Sequence, residues 1–349
     1  MIKFGVGTLF GMIYDYLKIY LPKQRKLSPN TIRSYREALE LMVDFIKEQN
    51  NIPLGDVTFE MLTAETVLGF LDYLEAERGC SIATRNNRLA AIRAFLKFAA
   101  DRDVTTVIYL NELKKVPVKK PEEIEVIGYM SKEAISAIVE QAADSKPKGL
   151  RDKFFMILMY DTGARLQEMI DLKLCDLRIS KTSTVTLHGK GGKIRTVPIM
   201  EKTVLYLRRH LSAFHQDVSL SSAVPLFYSE IHGQKKPLTG RRIRYLVKDY
   251  GVKARAICPN VPENVHPHLF RHSRAMHLYQ QGMDLTLVSQ WLGHANLETT
   301  LVYAHADTEH KRKAISAATP PNNLLHAKLS PNRFTVTDED TLKRLTGLR

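Results

Sequence analysis

Six residues between positions 165 and 303 are of the types that phosphoryl chemistry without a metal requires. In chain order they are Arg165, Lys190, His268, Arg271, His294 and Tyr303. An arginine presents a rigid fork that matches two phosphate oxygens, and an imidazole can hydrogen-bond another oxygen or move a proton. A tyrosine hydroxyl can attack as a nucleophile. The set therefore predicts covalent attack on a phosphate ester.

Each of these residues, taken alone, also has an ordinary structural interpretation. Arg165 could pair with Glu168 one turn along a helix, and His268 could cap a helix. Lys190 lies beside glycines and could be an exposed turn lysine, whereas the apolar neighbours of Tyr303 are typical of a core position. Only the combination of all six favours catalysis.

Three alternatives use the same region differently. A histidine metal site could be built from His266, His268, His272 and His277, although no HExxH spacing is present. A metal-dependent nuclease or transposase could use the carboxylates Asp161, Asp171 and Asp176, and EDTA-resistant activity would exclude it. A non-catalytic DNA-binding repressor would be unaffected by conversion of Tyr303 to Phe. We favour the metal-free interpretation and expect no cofactor.

Length and charge describe the protein that must position these residues. The chain has 349 residues, enough for two domains that each bury a core. Its 51 basic and 37 acidic side chains give a net charge of +14 and an isoelectric point near 9.5. This charge favours a polyanionic partner, because each neutralised phosphate releases counterions. Neither a disulfide framework, a signal peptide nor a membrane span is predicted, so we expect a cytoplasmic, nucleoid-associated protein.

The first 110 residues predict an all-α module. Helical periodicity begins after Ser28, Thr63 and Ser81, which are residue types that cap the amino ends of helices, and a further helix is expected near residues 8–20. One face of the third capped helix is basic, and its cations are either DNA contacts or a solvated surface. These candidate DNA-binding residues are Arg85, Arg88, Arg93 and Lys97.

A second module, residues 130–318, follows a predicted exposed linker at residues 111–129, which is rich in lysine, proline and glutamate. Two β-prone runs, Thr184–His188 and Ile194–Met200, surround a glycine-rich turn and predict a hairpin. Later helical runs are predicted at residues 201–213, 238–256, 268–281, 284–293 and 306–317, with a last short one at 337–345. The predicted fold class is therefore mainly α with a small antiparallel β hairpin or sheet in the second module.

The order and spacing of the six residues resemble the tyrosine recombinase family, also called phage integrases, and are most similar to its simple two-domain Xer-type and transposon-encoded members. The resemblance covers residues 165–303 through an arginine, a lysine, a histidine-x-x-arginine pair, Leu292-Gly293-His294 and the tyrosine. It extends over residues 1–110, which are similar to the family's SAM-like core-binding domain. The fold that the resemblance implies is a two-domain, C-shaped clamp around DNA.

The resemblance also implies how the site residues act on a scissile phosphate. Arg165 and Arg271 would clamp the phosphate, while His268 and His294 would hydrogen-bond it and assist proton movement. Glu168 would support Arg165 without touching the phosphate itself. Two arginines and two imidazoles would then stabilise the charge of the transition state, where other enzymes use metal ions.

In the same way, Lys190 would act as the general acid toward the departing 5′ hydroxyl, and Tyr303 would form a 3′-phosphotyrosine. Because that covalent intermediate keeps the energy of the phosphodiester, resealing would need no ATP. Further DNA contacts are expected from Lys193, Arg241 and Arg242.

The resemblance finally implies partners and an assembly. The substrate would be double-stranded DNA with paired recombination sites, bound by a homotetramer that passes through a Holliday junction, with a second recombinase or an accessory protein as a further partner. Residues 306–349, including the tail at 319–349, are the candidate segment for docking on a neighbouring protomer. Integration, excision or transposition of a mobile element and resolution of DNA multimers stay open, as does a type IB topoisomerase-like activity.

Overall fold

The computed structural model describes residues 8–120, 128–231, 233–294, 296–306, 312, 315 and 338–347. Within these residues, helices dominate and two small antiparallel sheets are present. The chain divides into two compact units, residues 1–124 and 125–349. The predicted fold class is thereby confirmed. In the described part of the chain, no helix is both long and apolar enough to cross a bilayer.

The first unit consists of helices joined by short turns. Its α-helices are α1 (Leu9–Asp15), α2 (Pro29–Asn50), α3 (Ala64–Ala76), α4 (Ile82–Ala100) and α5 (Val107–Lys114). A π-helical segment, Tyr16–Gln24, follows α1, and 3₁₀ turns lie at Leu54–Asp56, Phe59–Met61 and Val104–Thr106.

Side-chain caps begin three of these helices where the sequence predicted them. The hydroxyls of Ser28, Thr63 and Ser81 accept hydrogen bonds from the amide three residues later, at 3.2, 3.1 and 3.3 Å. Each cap satisfies an amide that has no partner within its helix. Aromatic packing then joins the helices, since the ring of Tyr16 lies 5.5 Å from that of Phe95 and 4.9 Å from that of Phe98, both on α4.

The predicted linker, residues 111–129, overlaps the last helix of the first unit. Helix α5 continues to Lys114. Beyond it, Asn86 on α4 donates from Nδ2 to the carbonyl of Lys119 at 2.8 Å, and the amide of Lys119 donates to Oδ1 of Asn86 at 3.2 Å. This segment belongs to the first unit because α4 supplies the partners of its backbone. Residues 121–127 of the predicted linker lie outside the described residues.

The second unit contains the remaining elements. Its helices are α6 (Lys132–Glu140), α7 (Pro147–Thr162), α8 (Leu166–Ile170), α9 (Glu201–Phe214), α10 (Gly240–Arg255), α11 (Pro267–Gln280), α12 (Leu285–Leu292), α13 (Glu298–Ala306) and α14 (Glu339–Leu345). Its strands are β1 (Leu177–Arg178), β2 (Thr184–His188), β3 (Ile194–Pro198), β4 (Tyr228–Ile231) and β5 (Gln234–Pro237), and 3₁₀ turns lie at Leu174–Asp176 and Lys190–Gly192.

The predicted hairpin is confirmed. Strands β2 and β3 pair antiparallel with Val185 opposite Val197, and β1 adds to the other edge of β2. Side chains alternate along the strands, so Val185, Leu187 and Val197 are buried. Gly191 and Gly192 have positive φ angles of 76° and 74°, which the tight turn requires. A separate sheet pairs β4 with β5.

The helix that carries the predicted nucleophile begins earlier than the sequence pattern indicated. The periodicity predicted a helical run at 306–317, but α13 spans Glu298–Ala306, and most of the predicted run lies outside the described residues. The side chain of Asn296 accepts a hydrogen bond from the amide of Glu298 at 3.2 Å, which gives the chain a helix start there. The last predicted short helix is present as α14.

Candidate active site

Two helices of the second unit end at glycines whose backbone and surroundings exclude other residues. Gly163 follows α7 with a φ of 59°, and Gly293 follows α12 with a φ of 64°. A Cβ on Gly163 would lie 2.9 Å from the side chain of Leu292, and a Cβ on Gly293 would lie 3.0 Å from that of Arg195. Both turns therefore need glycine, and both present carbonyl groups to nearby arginines.

Arg271 on α11 is held by those carbonyls. Its side chain is 3% exposed, and it donates from Nη1 to the carbonyl of Gly163 at 2.6 Å and from Nη2 to that of Leu292 at 2.7 Å. Burial, together with the positive charges of Arg165 and Arg195, lowers the pKa of Arg271 to about 9. The guanidinium therefore keeps its charge at neutral pH and has a fixed orientation.

Arg165 combines the structural and the catalytic interpretations. Its amide donates to Oε2 of Glu168 at 2.7 Å, and its Nη1 donates to Oε1 of Glu168 at 3.1 Å. Nη2 donates to the carbonyl of Gly293 at 3.3 Å. The side chain of Arg165 is nevertheless 36% exposed, so an anion can still approach its guanidinium. The ion pair with Glu168 therefore orients Arg165 and leaves its guanidinium accessible.

Arg195 on β3 is a site residue that the sequence analysis missed. Its Nη1 and Nη2 donate to Oε1 and Oε2 of Glu168 at 2.7 and 2.8 Å, and its Nε donates to the carbonyl of Trp291 at 2.9 Å. Burial raises the pKa of Glu168, but the hydrogen bonds from Arg195 and Arg165 outweigh it and lower that pKa. No local pattern marks Arg195, because Glu168 lies 27 residues earlier in the chain.

The charges at this place do not cancel. Among the ion pairs of the described residues, Arg165 and Arg195 share the single carboxylate of Glu168, and Arg271 is held by carbonyls. Three positive charges and one negative charge leave a surplus of two. The residues therefore leave net positive charge at this place, which suits an anion such as a phosphate.

The two predicted site histidines differ in exposure. His268 is exposed in the first turn of α11, and its pKa is lowered by partial loss of solvent and then by His266 and Arg271. His294 is half-buried, and its Nδ1 lies 2.8 Å from Oγ1 of Thr300. Burial, then Arg271 and other cations, lowers the pKa of His294 to about 4, so its imidazole is neutral at pH 7.

Tyr303 on α13 is sheltered from solvent. Its side chain is 2% exposed, and its Oη lies 2.9 Å from Nδ1 of His272. Burial raises the pKa of Tyr303 to about 12, against the opposing charge of Arg271, and burial with His268 lowers the pKa of His272 to about 4. The phenol and the imidazole are therefore both uncharged at pH 7. His272, which the sequence analysis considered only as a metal ligand, is the partner of Tyr303.

Lys190 lies in the 3₁₀ turn Lys190–Gly192 that closes the hairpin, and the position of its side chain is outside the described part of the structure. The adjoining Gly189 packs against the site, because a Cβ there would lie 3.2 Å from Oε1 of Glu168. The hairpin turn is thus close to the arginine cluster. The catalytic role of Lys190 stays a prediction.

The carboxylates of the metal-dependent alternative are held in separate places. Asp161 accepts hydrogen bonds from Arg274 at 3.0 Å and Thr203 at 2.7 Å. Asp171 accepts from the side chain of Gln167, and Asp176 contacts that of His188. Among the described residues, no group of three or more His, Cys, Asp or Glu side chains could hold a metal ion. The carboxylate cluster which that alternative requires is therefore not formed by these three residues.

Two of the predicted DNA-contact residues in the first unit have partners within that unit. Arg85 is 1% exposed, with its Nε 2.8 Å from Oε1 of Glu75, so groups of its own unit cover it, and its contact with DNA stays a prediction. Arg93 is half-buried and donates to the carbonyls of Leu113 and Val116, where α5 ends. The sequence showed that both lie off the apolar stripe, but not that backbone and carboxylate groups cover them.

The other predicted DNA contacts remain accessible. Arg88 donates to Oε2 of Glu37 at 3.1 Å, with its side chain 20% exposed. The remaining four residues are exposed: Lys97, Lys193, Arg241 and Arg242. Their contact with DNA stays a prediction.

Comparison with known proteins identifies the family of this chain. The phage integrase family matches residues 129–310, and the N-terminal SAM-like domain of phage integrases matches residues 14–103. The integrase/recombinase y4rC of Sinorhizobium fredii is 29% identical over 90% of this chain and 92% of its own length. The tyrosine recombinase XerD of Staphylococcus saprophyticus is 29% identical over 86% of this chain and 96% of its own.

Among solved structures, the XerH site-specific recombinase bound to difH substrate has a TM-score of 0.63 at 22% identity, covering 87% of this chain and 84% of that one. At this identity, the likeness shows the shared fold. The family match spans more than half of the chain, and the chain therefore belongs to the phage integrase family of tyrosine-type, site-specific DNA recombinases. The predicted family and the predicted class of enzyme are confirmed.

Proposed function

We propose that the protein cleaves and rejoins DNA strands through a covalent 3′-phosphotyrosine formed by Tyr303, without metal or ATP. The observation that carries this proposal is the arrangement of three arginines with two surplus positive charges, in which Arg165 and Arg195 share the carboxylate of Glu168 and Arg271 is held by carbonyls. Arg271 also lowers the pKa of Tyr303 against the effect of burial, so this charge acts on the phenol. A phosphodiester bound by the arginines would therefore lie near the phenol of Tyr303 and near the positive charge that favours its ionised form.

In this mechanism the scissile phosphate binds to the exposed guanidinium of Arg165, and it reaches Arg271, which is 3% exposed, only once DNA binding has rearranged the site. His268 and His294 donate hydrogen bonds to the phosphate oxygens. The Oη of Tyr303 forms a bond to phosphorus as the bond to the 5′ oxygen breaks, and the phenolic proton passes to the unprotonated ring nitrogen of His268. Lys190 donates a proton to the departing 5′ oxygen. Rejoining is the reverse, with a 5′ hydroxyl attacking the phosphotyrosine.

The hydroxyl of Tyr303 has to leave its contact with His272 and become accessible before it can react. Because Tyr303 is 2% exposed and its hydroxyl contacts His272, phosphorus cannot reach the Oη in the observed arrangement. We propose that DNA binding exchanges the contact with His272 for one with the scissile phosphate. Because His272 and Tyr303 are both uncharged, this exchange breaks no ion pair and its free-energy cost is small.

The test uses labelled duplexes from the genomic flanks of the gene, each with a nick near the expected cut, incubated with protein in EDTA and run on denaturing gels. We expect a covalent adduct with the wild type, none with Tyr303→Phe, and binding retained by both. The matched control is Tyr206→Phe on α9, which should form the adduct normally. Tight binding without an adduct would favour the repressor, and cleavage restored only by magnesium would favour a metal-dependent enzyme.

A topoisomerase-like activity predicts a different product. A site-specific recombinase joins strands of two duplexes, whereas a type IB topoisomerase-like enzyme would relax a supercoiled circle of unrelated sequence. Relaxation of such a circle, with no exchange between paired sites, would contradict our proposal.

We propose that both units contact double-stranded DNA and that four protomers pair two sites through a Holliday junction. Arg88, Lys97, Lys193, Arg241 and Arg242 would contribute to DNA binding, and the protein would associate with the nucleoid. The paired sites would belong to a mobile element or to a DNA multimer. Sequencing of recombined junctions from cells that contain the gene would identify which of the two is the substrate.

The described part of the tail supports a role in assembly. Helix α14 exposes Leu342 and Leu345, with relative exposures of 46% and 72%. Exposed leucines on a short terminal helix are suited to docking on another protomer. Deletion of residues 320–349 should weaken the pairing of two duplexes more than binding to one, measured by analytical ultracentrifugation. A truncated protein that assembles normally would remove this role.

A further inference from the structure

The hydroxyl of Thr300 is directed at an imidazole in the active site. Thr300 lies on α13, is completely buried, and places its Oγ1 2.8 Å from Nδ1 of His294. The adjacent Thr299 differs, because it is exposed and its hydroxyl donates to the backbone carbonyl of Asn296. Two neighbouring threonines of one helix therefore serve different purposes, and only Thr300 reaches the site.

The protonation state of His294 determines what this contact can do. Burial and nearby arginines lower the pKa of His294 to about 4, so its ring has one N–H and one unprotonated nitrogen at neutral pH. The oxygens of a phosphodiester only accept hydrogen bonds. His294 can therefore bind phosphate only through a protonated ring nitrogen, and the other nitrogen then needs a donor.

We infer that Thr300 is a positioning residue for strand cleavage: its hydroxyl donates to Nδ1 of His294, which keeps the proton on Nε2 and directs that N–H toward the scissile phosphate. This inference rests on the proposed role of His294. The contact also holds the plane of the imidazole, because a hydrogen bond to one ring nitrogen restricts rotation about the Cβ–Cγ bond.

The placement of Thr300 connects His294 with the nucleophile. Thr300 and Tyr303 are three residues apart on α13, so they lie on the same face of the helix. The helix that carries the nucleophile therefore also supplies the donor to His294. A displacement of α13 changes the orientation of the histidine together with the position of the tyrosine.

The test compares Thr300→Val, which keeps the shape but removes the hydroxyl, with Thr300→Ser, which keeps the hydroxyl. In single-turnover cleavage of the nicked duplex, Thr300→Val should be slower on the order of 10- to 100-fold, as expected when a catalytic group is misplaced. DNA affinity should stay within about twofold of the wild type, and Thr300→Ser should recover to within about threefold. Thr299→Val is the matched control and should cleave normally.

Two further measurements separate an action through His294 from a structural one. Thr300→Val in a His294→Gln background should give no additional loss of rate, because the residue it positions is already gone. In DNA-free protein labelled with ¹⁵N-histidine, the signals lost in His294→Gln should show a proton on Nε2 in the wild type and a mixture of tautomers in Thr300→Val.

The outcomes distinguish this inference from the proposed function. Wild-type adduct formation together with unchanged cleavage by Thr300→Val, or with an additive loss in the double variant, would overturn the role of Thr300 and leave the tyrosine mechanism standing. A proton on Nδ1 of His294 in the wild type would overturn it as well. Failure of the wild type to form any adduct would instead overturn the proposed function. The tautomer measurement would still show whether Thr300 donates its hydrogen bond to Nδ1 of His294.

Discussion

Buried arginines in the two units show that the same residue type can serve opposite purposes. In the first unit, Arg85 is almost completely buried, and its charge faces Glu75, which also pairs with Lys119. In the second unit, Arg271 is equally buried, but carbonyl groups hold it, and the only carboxylate nearby among the described ion pairs is shared by two other arginines.

Burial of an arginine therefore does not by itself indicate a ligand-binding site. The two units differ in the local balance of charge around their arginines and in how far solvent or an anion can still reach a guanidinium. Arg85 is 1% exposed and paired, whereas the side chain of Arg165 is 36% exposed even though Glu168 contacts it. The second unit therefore keeps positive charge available for an anion, and the first unit uses its interior arginine to hold the segment after α5.

The same substitution in both units gives the sharpest test of this contrast, and the larger effect is expected at Arg195. Arg195→Met should slow single-turnover cleavage on the order of 100-fold, because Arg165 loses its fixed support through Glu168. It should also lower the free energy of unfolding by about 3 kcal/mol, since a buried ion pair is broken. Arg195→Lys keeps the positive charge but loses the forked guanidinium, so its cleavage rate and its free energy of unfolding should lie between those of the wild type and of Arg195→Met. Normal cleavage by Arg195→Met would show that the shared carboxylate does not position the site.

Arg85→Met should affect only stability. We expect a decrease of about 2 kcal/mol in the free energy of unfolding, reduced from a fully buried pair because Glu75 is partly exposed and keeps Lys119 as a partner. Cleavage by the folded protein, assayed well below its melting temperature, should match the wild type. If melting were unchanged while DNA binding weakened, Arg85 would contact DNA and the contrast between the units would fail.

The smallest effect is expected at Lys97, the exposed cation of the same helix. Lys97→Ala should weaken DNA binding about threefold near physiological salt and reduce the slope of log Kd against log salt by about 1, because one counterion fewer is released. Cleavage of bound DNA and thermal melting should not change. An unchanged salt slope would mean that this face of α4 is a solvated surface.

The elements that carry much of the proposed catalytic set could be predicted from the sequence because its members lie within short, ordered motifs. The glycines before Arg165 and His294 signal helix ends, and the structure places both at left-handed turns. The β-prone runs on either side of the glycine-rich turn indicated the hairpin that carries Lys190, since strands and turns have local signatures. Helix starts at capping residues were likewise local and correct.

Arg195, His272 and Thr300 could not be predicted in their roles, because each acts through a partner that is distant in sequence or on another element. Arg195 meets Glu168 only when β3 packs beside α8, and His272 meets Tyr303 only when α11 packs beside α13. The same reason explains why the burial of Arg85 could not be predicted. Periodicity shows which face of a helix is polar, but not whether another segment covers that face.

The sequence by itself determined the family, the helical character of both units, the hairpin and the residue types available for chemistry, because these depend on motifs and periodicities within a few turns of chain. The tertiary structure alone decided which arginines are neutralised, that the hydroxyl of Tyr303 is sheltered against His272, and that Thr300 faces His294. Charge balance and solvent access depend on every group within several ångströms, and only the folded chain brings those groups together.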